Sequence, residues 1–473
     1  MAAGQLVISS RDLERGQVCG GPTKHGPAVR SGGGTALAVV RVGGPRWPPS
    51  RKLLMPHRRP SLSFALALAV IASAAAGCAA EDQEDSSGES DAALSTAKLT
   101  PADVSILLPL PKANADESLA ATARGKGGDE LVPATAFKIA GAPGQTVLNE
   151  TFYFDHGGAR IQTPEEERPI LRLTAVRVDP CGRVAPTDPE SRCVPEVRLV
   201  FQPVLANVAG KFEAADGAIH AFYRVTLGEL QAFTRALFDA RNASGGFAYR
   251  TLGVHPTLDR EGLTGDFAKV LFAQVKKVCG SENLERVTFL QRTNAREPVW
   301  AFGVASVTNK QAKVQKIAST DATLQSIEGP GFNSPMHLTN LVDPDARATE
   351  TGSADKIGAI LDTRTTSPAA QLKALNASVR IDNPTLHSPE TMACVECHVA
   401  SGARKSLLAA QPALKARIDP ANVFSAPMTT RHVASKDVGN LHSFSWKGSD
   451  IGISDRAANE SANVAAKMNE LLF

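Results

Sequence analysis

Cys394-Val395-Glu396-Cys397-His398 is the stretch of this sequence whose residue types and spacing are most suited to chemistry. Two thiols three positions apart, with an imidazole beside the second, allow three kinds of bonding. They can close a small disulfide or cycle as a redox dithiol. They can hold zinc if a fourth ligand arrives from elsewhere, and His432 or His442 would supply one. Or both sulfurs can add across the two vinyl groups at one porphyrin edge. Two intervening residues let both thiols reach that edge, and the adjacent histidine then lies under the ring as an axial iron ligand. A thioredoxin-type dithiol is disfavoured, because Pro389-Glu390-Thr391-Met392 precedes the motif where that chemistry wants a strand leading into a helix.

An export signal favours the porphyrin reading. Pro56-His57-Arg58-Arg59-Pro60 is followed by a short apolar run, Leu62 to Ala76, and then by Gly77-Cys78. A basic segment, a brief apolar one and small residues before a cleavage point make a secretory signal. The run is too short to span a bilayer comfortably. Ala75-Ala76-Gly77-Cys78 resembles the bacterial lipoprotein lipobox, which implies lipidation of Cys78 and a membrane anchor. Signal peptides begin near the initiator, so translation is expected to start at Met55, with residues 1–54 a mis-assigned or disordered extension. Ala79, not Asp, follows the lipidated position, so the resemblance implies the outer membrane, facing the periplasm or the cell surface.

The five residues Cys394 to His398 resemble the haem-attachment motif of c-type cytochromes. The likeness is strict over those five and loose over the last 90 or so. It implies haem c, with Cys394 and Cys397 as thioether attachment points and His398 as proximal ligand. Haem c is attached outside the cytoplasmic membrane, which agrees with an export signal. Familiar single-haem members place a helix just before the motif, whereas Pro384 and Pro389 oppose one here. They also supply a distal Met from a later loop, a role that the loop-like setting of Met428 would suit. His442 and His432 are equally placed as candidates, with His387 upstream and Met468 expected in a core. Methionine would raise the potential and a second histidine would lower it. An open position would admit peroxide or a small gas. A single Cys-x-x-Cys-His excludes a dihaem peroxidase by count.

The rest of the chain must position this motif. It is 473 residues long, 43% hydrophobic and 21% charged, which excludes a wholly disordered or fibrous protein. The net charge of +3 belongs to the leader. Residues 1–77 hold ten Lys/Arg against two Asp/Glu, so the remainder is net −5 and offers no electrostatic case for nucleic acid. Six acids between Glu81 and Asp91 suit a solvated tether, expected over 78–130. Strand-like alternation occupies Asn149–Asp155, Ile170–Val178, Glu196–Val204, Ala218–Val225, Glu285–Gln291, Pro298–Ser306 and Ala312–Ile317. Thr226 and Glu229 form a capping box that opens a helix to about Arg241, and a second helix is expected over Thr264–Cys279. Ala354–Leu361 and Pro368–Ala374 read as helical fragments and Ser454–Phe473 as a closing helix.

The fold expectation is α+β: a strand-rich domain over 131–340, then a small, mostly helical, cytochrome-c-like domain over 345–473. Cys181 and Cys193 flank a turn-rich loop between strands and should pair in an oxidising compartment, the alternative being that Cys279 takes one of the two. Otherwise Cys279 would be a lone buried thiol at a helix end. His156 and His220 stand at no recognisable catalytic spacing. The function expected is electron transfer through one covalent haem to an unidentified redox partner protein, rather than catalysis. The alternatives are a haem enzyme or sensor with an open iron position, and a non-haem surface lipoprotein whose Cys394 and Cys397 form a disulfide or metal clip.

Overall fold

A computed structural model describes residues 98–138, 170–184, 193–292, 299–318, 320, 323–328, 355–361, 366–389, 391–437 and 439–473. The leader with Cys78, the expected strand Asn149–Asp155 and His156 lie outside them. The described helices are α1 (Pro101–Val104), α2 (Leu227–Ala243), α3 (Pro256–Glu261), α4 (Asp266–Val278), α5 (Gly358–Leu361), α6 (Pro368–Ile381), α7 (Cys394–Ala410) and α8 (Asp455–Leu472). The strands are β1 (Ser105–Leu107), β2 (Leu171–Val184), β3 (Cys193–Ala206), β4 (Phe212–Ala214), β5 (Gly217–Arg224), β6 (Leu284–Arg292), β7 (Val299–Thr308), β8 (Gln311–Val314) and β9 (Leu324–Glu328), with a hairpin of β10 (Phe444–Lys447) and β11 (Asp450–Ile453).

The large sheet runs β1-β2-β3-β5-β6-β7-β8, with β4 on β3 and β9 on β7, and the described pairings are antiparallel. Antiparallel registry lines cross-strand partners up on one face. Leu199, Ala221, Val287 and Ala305 form one such row, and all are buried. They pack on Phe233 and Leu237 of α2 and Phe267 and Leu271 of α4, the helical stripes that the sequence spacing predicts. The capping box is formed: Glu229 accepts from the Thr226 amide, and Thr226 Oγ1 accepts from the Glu229 amide.

The opposite face carries a different row. Arg177, Arg198, Phe222, Arg286 and Ser306 are successive cross-strand partners. The next row on that face reads Ala175, Val200, His220, Thr288 and Val304. The C-terminal segment covers this face. Trp300 and Phe302 of β7 share a core with Ile357, Leu375, Val395 and Val399. Phe444 and Trp446 pack on Val200 and Ala218. Buried Gln202 holds the hairpin edge like a strand, donating to Trp446 O (2.7 Å) and accepting from Trp446 N (2.9 Å).

Two organisational expectations change. The tether does not extend to 130: Leu99, Val104, Ile106, Leu107 and Leu108 are buried, and β1 pairs with β2. Their Ala- and Asp-rich surroundings dilute the apolar signal, but five buried side chains suffice for an edge strand and a one-turn helix. Nor does a boundary near 340 separate two cores. The described residues belong to one compact unit, and Val464, Ala465 and Met468 of α8 share a core with the sheet. The α+β class stands, with a large antiparallel sheet. The C-terminal segment is a layer on that sheet rather than a body beside it.

Cys181 and Cys193 are joined, bridging β2 and β3 across 12 positions. A closure of that length should contribute about 3 kcal/mol, chiefly by restricting the unfolded chain. The Cys181→Ser/Cys193→Ser double variant is therefore expected to shift the urea midpoint down by an equivalent amount, while reductant added to this variant produces no further shift.

Candidate functional site

The motif forms the first turn of α7. Glu396 fixes that turn: its carboxylate accepts the Ala393 amide at 2.9 Å and lies 3.5 Å from Lys356 Nζ. Val395 is buried among Trp300, Phe302 and Leu375, and its amide donates to Gln325 Oε1 at 3.3 Å. The two residues between the cysteines thus anchor the helix to the core. Helical periodicity then brings Cys394 and Cys397, three positions apart, to one side. Pro384 and Pro389 lie between α6 and α7, and the described residues between the two helices are turns, bends and irregular chain, as the sequence leads one to expect.

Both thiols are free and, with His398, line a cleft of about 440 Å³ between α7 and the sheet. That volume is within the range of small-molecule and cofactor sites. Burial and the neighbouring Cys397 push the Cys394 thiol up to about 12. Burial, against the pull of Arg456, takes Cys397 up to about 11. Both sulfurs are therefore held in the thiol form, the less nucleophilic one, at neutral pH. His398 Nδ1 is 2.7 Å from Leu441 O, so Nδ1 carries the proton and Nε2 the lone pair. Burial holds this imidazole down to about 4, outweighing the carbonyl contact. A neutral imidazole oriented through its other nitrogen is the state a metal ligand requires.

The opposite wall is the arginine row of the sheet. Arg177, Arg198 and Arg286 line the cleft together with Arg456 and Glu460 of α8. Glu460 lies 3.4 Å from Arg177, 3.7 Å from Arg456 and 3.9 Å from Arg198. Burial raises its pKa, but the three guanidiniums prevail and bring it to about 2. Five cations, Arg177, Arg198, Arg286, Lys316 and Arg456, line the cleft against two carboxylates, Glu285 and Glu460, and Glu196 lies 3.6 Å from Arg286; Phe222, Val304 and Met392 add apolar wall.

The three candidate distal ligands lie elsewhere. His442 is buried with Nε2 at 3.3 Å from Asp216 and Nδ1 at 2.7 Å from Ser445 Oγ. His432 pairs with Asp455 at 2.8 Å. Both line a smaller cleft of about 180 Å³ that adjoins the other side of His398. Met428 lines a third cleft, near Tyr249 and Phe473. His387 is engaged by Asp355 at 2.9 Å, and Met468 is fully buried in the core. The histidine that does line the main cleft with His398 is His220, the centre of β5, at a ring-centre separation of 6.4 Å. Alternation along Gly217–Arg224 shows that His220 and Phe222 share a face, but only strand pairing puts that face opposite the motif.

Among the described residues, no three His, Cys, Asp or Glu side chains gather closely enough to hold a bare metal ion, and no helix is long and apolar enough to cross a membrane. A porphyrin does not need its thioether points and its axial ligand to converge, since its edge and its centre are apart. Cys279, in contrast, is buried away from the cleft with a free thiol that burial pushes well up. Comparison with protein-family models, with curated proteins and with solved structures finds no match to this chain.

Proposed function

We propose that this protein is an exported, lipid-anchored haem c protein that transfers electrons through one covalently attached haem. The observation that carries the reading is the joint placement of Cys394, Cys397 and His398 on one cleft, both thiols free and His398 anchored through Nδ1. Cys394 and Cys397 would be the thioether points and His398 the proximal ligand. Arg177, Arg198, Arg286 and Arg456 would meet the two anionic propionates by charge-assisted contacts. Phe222, Val304 and Met392 supply apolar wall. When bound, the haem supplies one-electron chemistry at iron. The chain's own part is to exclude water, keep His398 neutral and hold it in one orientation. Anchoring through Cys78 after a signal over 55–77 would place the protein at the outer membrane, within reach of a redox partner protein.

Haem staining after denaturing electrophoresis tests this, since thioether-linked haem survives denaturation. Protein made from Met55 in a host competent for cytochrome maturation is expected to stain and to gain the mass of one haem. Colourless protein from that host would overturn the reading and leave a non-haem envelope lipoprotein.

A further inference from the structure

We infer that His220, from the middle of the sheet, is the second axial ligand of the haem, opposite His398. This rests on the proposed function and goes beyond it by completing the iron's coordination. The argument is first one of distance. A metal–imidazole bond of about 2 Å on each side, plus about 1 Å from each nitrogen to its ring centre, separates two trans imidazoles by roughly 6 Å. The rings of His220 and His398 are 6.4 Å apart. Their planes are tilted by 42°, which a common axis permits, because two rings on one axis are free to take any mutual rotation.

The second part is availability. His220 lines the cleft, and its imidazole makes no hydrogen bond among the described residues. His442 and His432 are held by Asp216 and Asp455, and neither lines the main cleft. The third part is rigidity. His220 is paired on both sides, with Val200 of β3 and Thr288 of β6, so its Cα is fixed by a sheet rather than by a loop. Two ligands from distant parts of the chain would make the haem a cross-link between β5 and α7. They would also close the iron to exogenous gases and set a lower potential than a thioether ligand would give.

The test uses full-length haem-loaded protein and needs no activity. Wild type is expected to give a low-spin ferric spectrum by paramagnetic resonance and no rapid carbon monoxide binding when ferrous. His220→Ala is expected to keep its covalent haem on a stained gel, to become high-spin, to bind carbon monoxide rapidly and to return to low spin with added imidazole. His220→Met keeps a ligating side chain should the alanine variant fold poorly, and is expected to raise the potential and show a His–Met charge-transfer band. His442→Gln should leave the low-spin signal in place. A high-spin wild type, or a His220→Met variant with wild-type spectrum and potential, overturns the assignment of His220 while leaving haem attachment intact. Absence of stainable haem in wild type instead defeats the proposed function itself, and this inference with it.

Discussion

Replacing Cys397 with serine is expected to lower or abolish covalent haem, and replacing Cys394 as well to remove it entirely. Each thioether needs one sulfur on the cleft wall, and the two sulfurs stand three positions apart on the first turn of α7. Serine nearly preserves the volume but cannot form the carbon–sulfur bond. The helix start should survive, because Glu396 and Val395 anchor it rather than the cysteines. A double variant that remains folded, with unchanged circular dichroism, but does not stain is the expected outcome. Residual haem that dissociates on denaturation would be consistent with His398 and the arginines still holding it. Undiminished staining of the double variant on a denaturing gel would refute the attachment assignment.

Arg241→Met is expected to destabilise the fold by about 3–5 kcal/mol at neutral pH, the usual cost of stripping one partner from a buried ion pair. Arg241 of α2 and Asp103 of α1 are both buried and meet at 2.7 Å. The guanidinium also lies over Phe238 at 4.6 Å, so its loss removes packing as well as charge. Asp103 would keep the Thr100 amide and hydroxyl, each at 2.7 Å, but no buried guanidinium. Removing both charges together, as Arg241→Met with Asp103→Asn, should cost less than the single change. The pH dependence has a definite sign. Burial raises the Asp103 pKa, but His255, 3.9 Å away, and the Arg241 charge outweigh it and hold the carboxyl below its ordinary value. The stabilisation is therefore complete above the unfolded value of about 3.9 and is lost as pH falls through the lower folded value. Urea midpoints of wild type and variant should be furthest apart near pH 7 and should converge below about pH 4. A difference that stays constant down to pH 2 would show that packing, not charge, is responsible.

Much of the sheet and its α-helical cover was legible in local pattern. Strands β2, β3, β5, β6 and β7 follow from alternation over Ile170–Val178 and its successors, and α2 and α4 from their stripes and end signals. The Cys181–Cys193 bridge was legible because its cysteines flank one loop between neighbouring strands. Less visible were β1, which is three residues long, and the β10–β11 hairpin, whose positive-φ Gly448 is its only strong turn signal. The separate C-terminal domain was misread for a related reason. A change of texture near 340 marks a change from strands to helices, and that does not reveal whether the helices make a core of their own or borrow the sheet's.

By itself the sequence determined the chemistry on offer: two thiols and an imidazole at Cys394, Cys397 and His398, since their spacing is a matter of a single helical turn. It also settled which residues of each strand share a face. Only the tertiary structure decided which face meets α7, and so that Arg177, Arg198, Arg286 and His220 stand opposite the motif while His432, His442 and Met428 do not line the main cleft. The physical reason is range. His220 and His398 are 178 positions apart, and their approach to 6.4 Å depends on strand registers and on Trp300, Phe302 and Val395 closing one core. Those interactions are set by burial of apolar surface across the whole unit, which no window of neighbouring residues encodes.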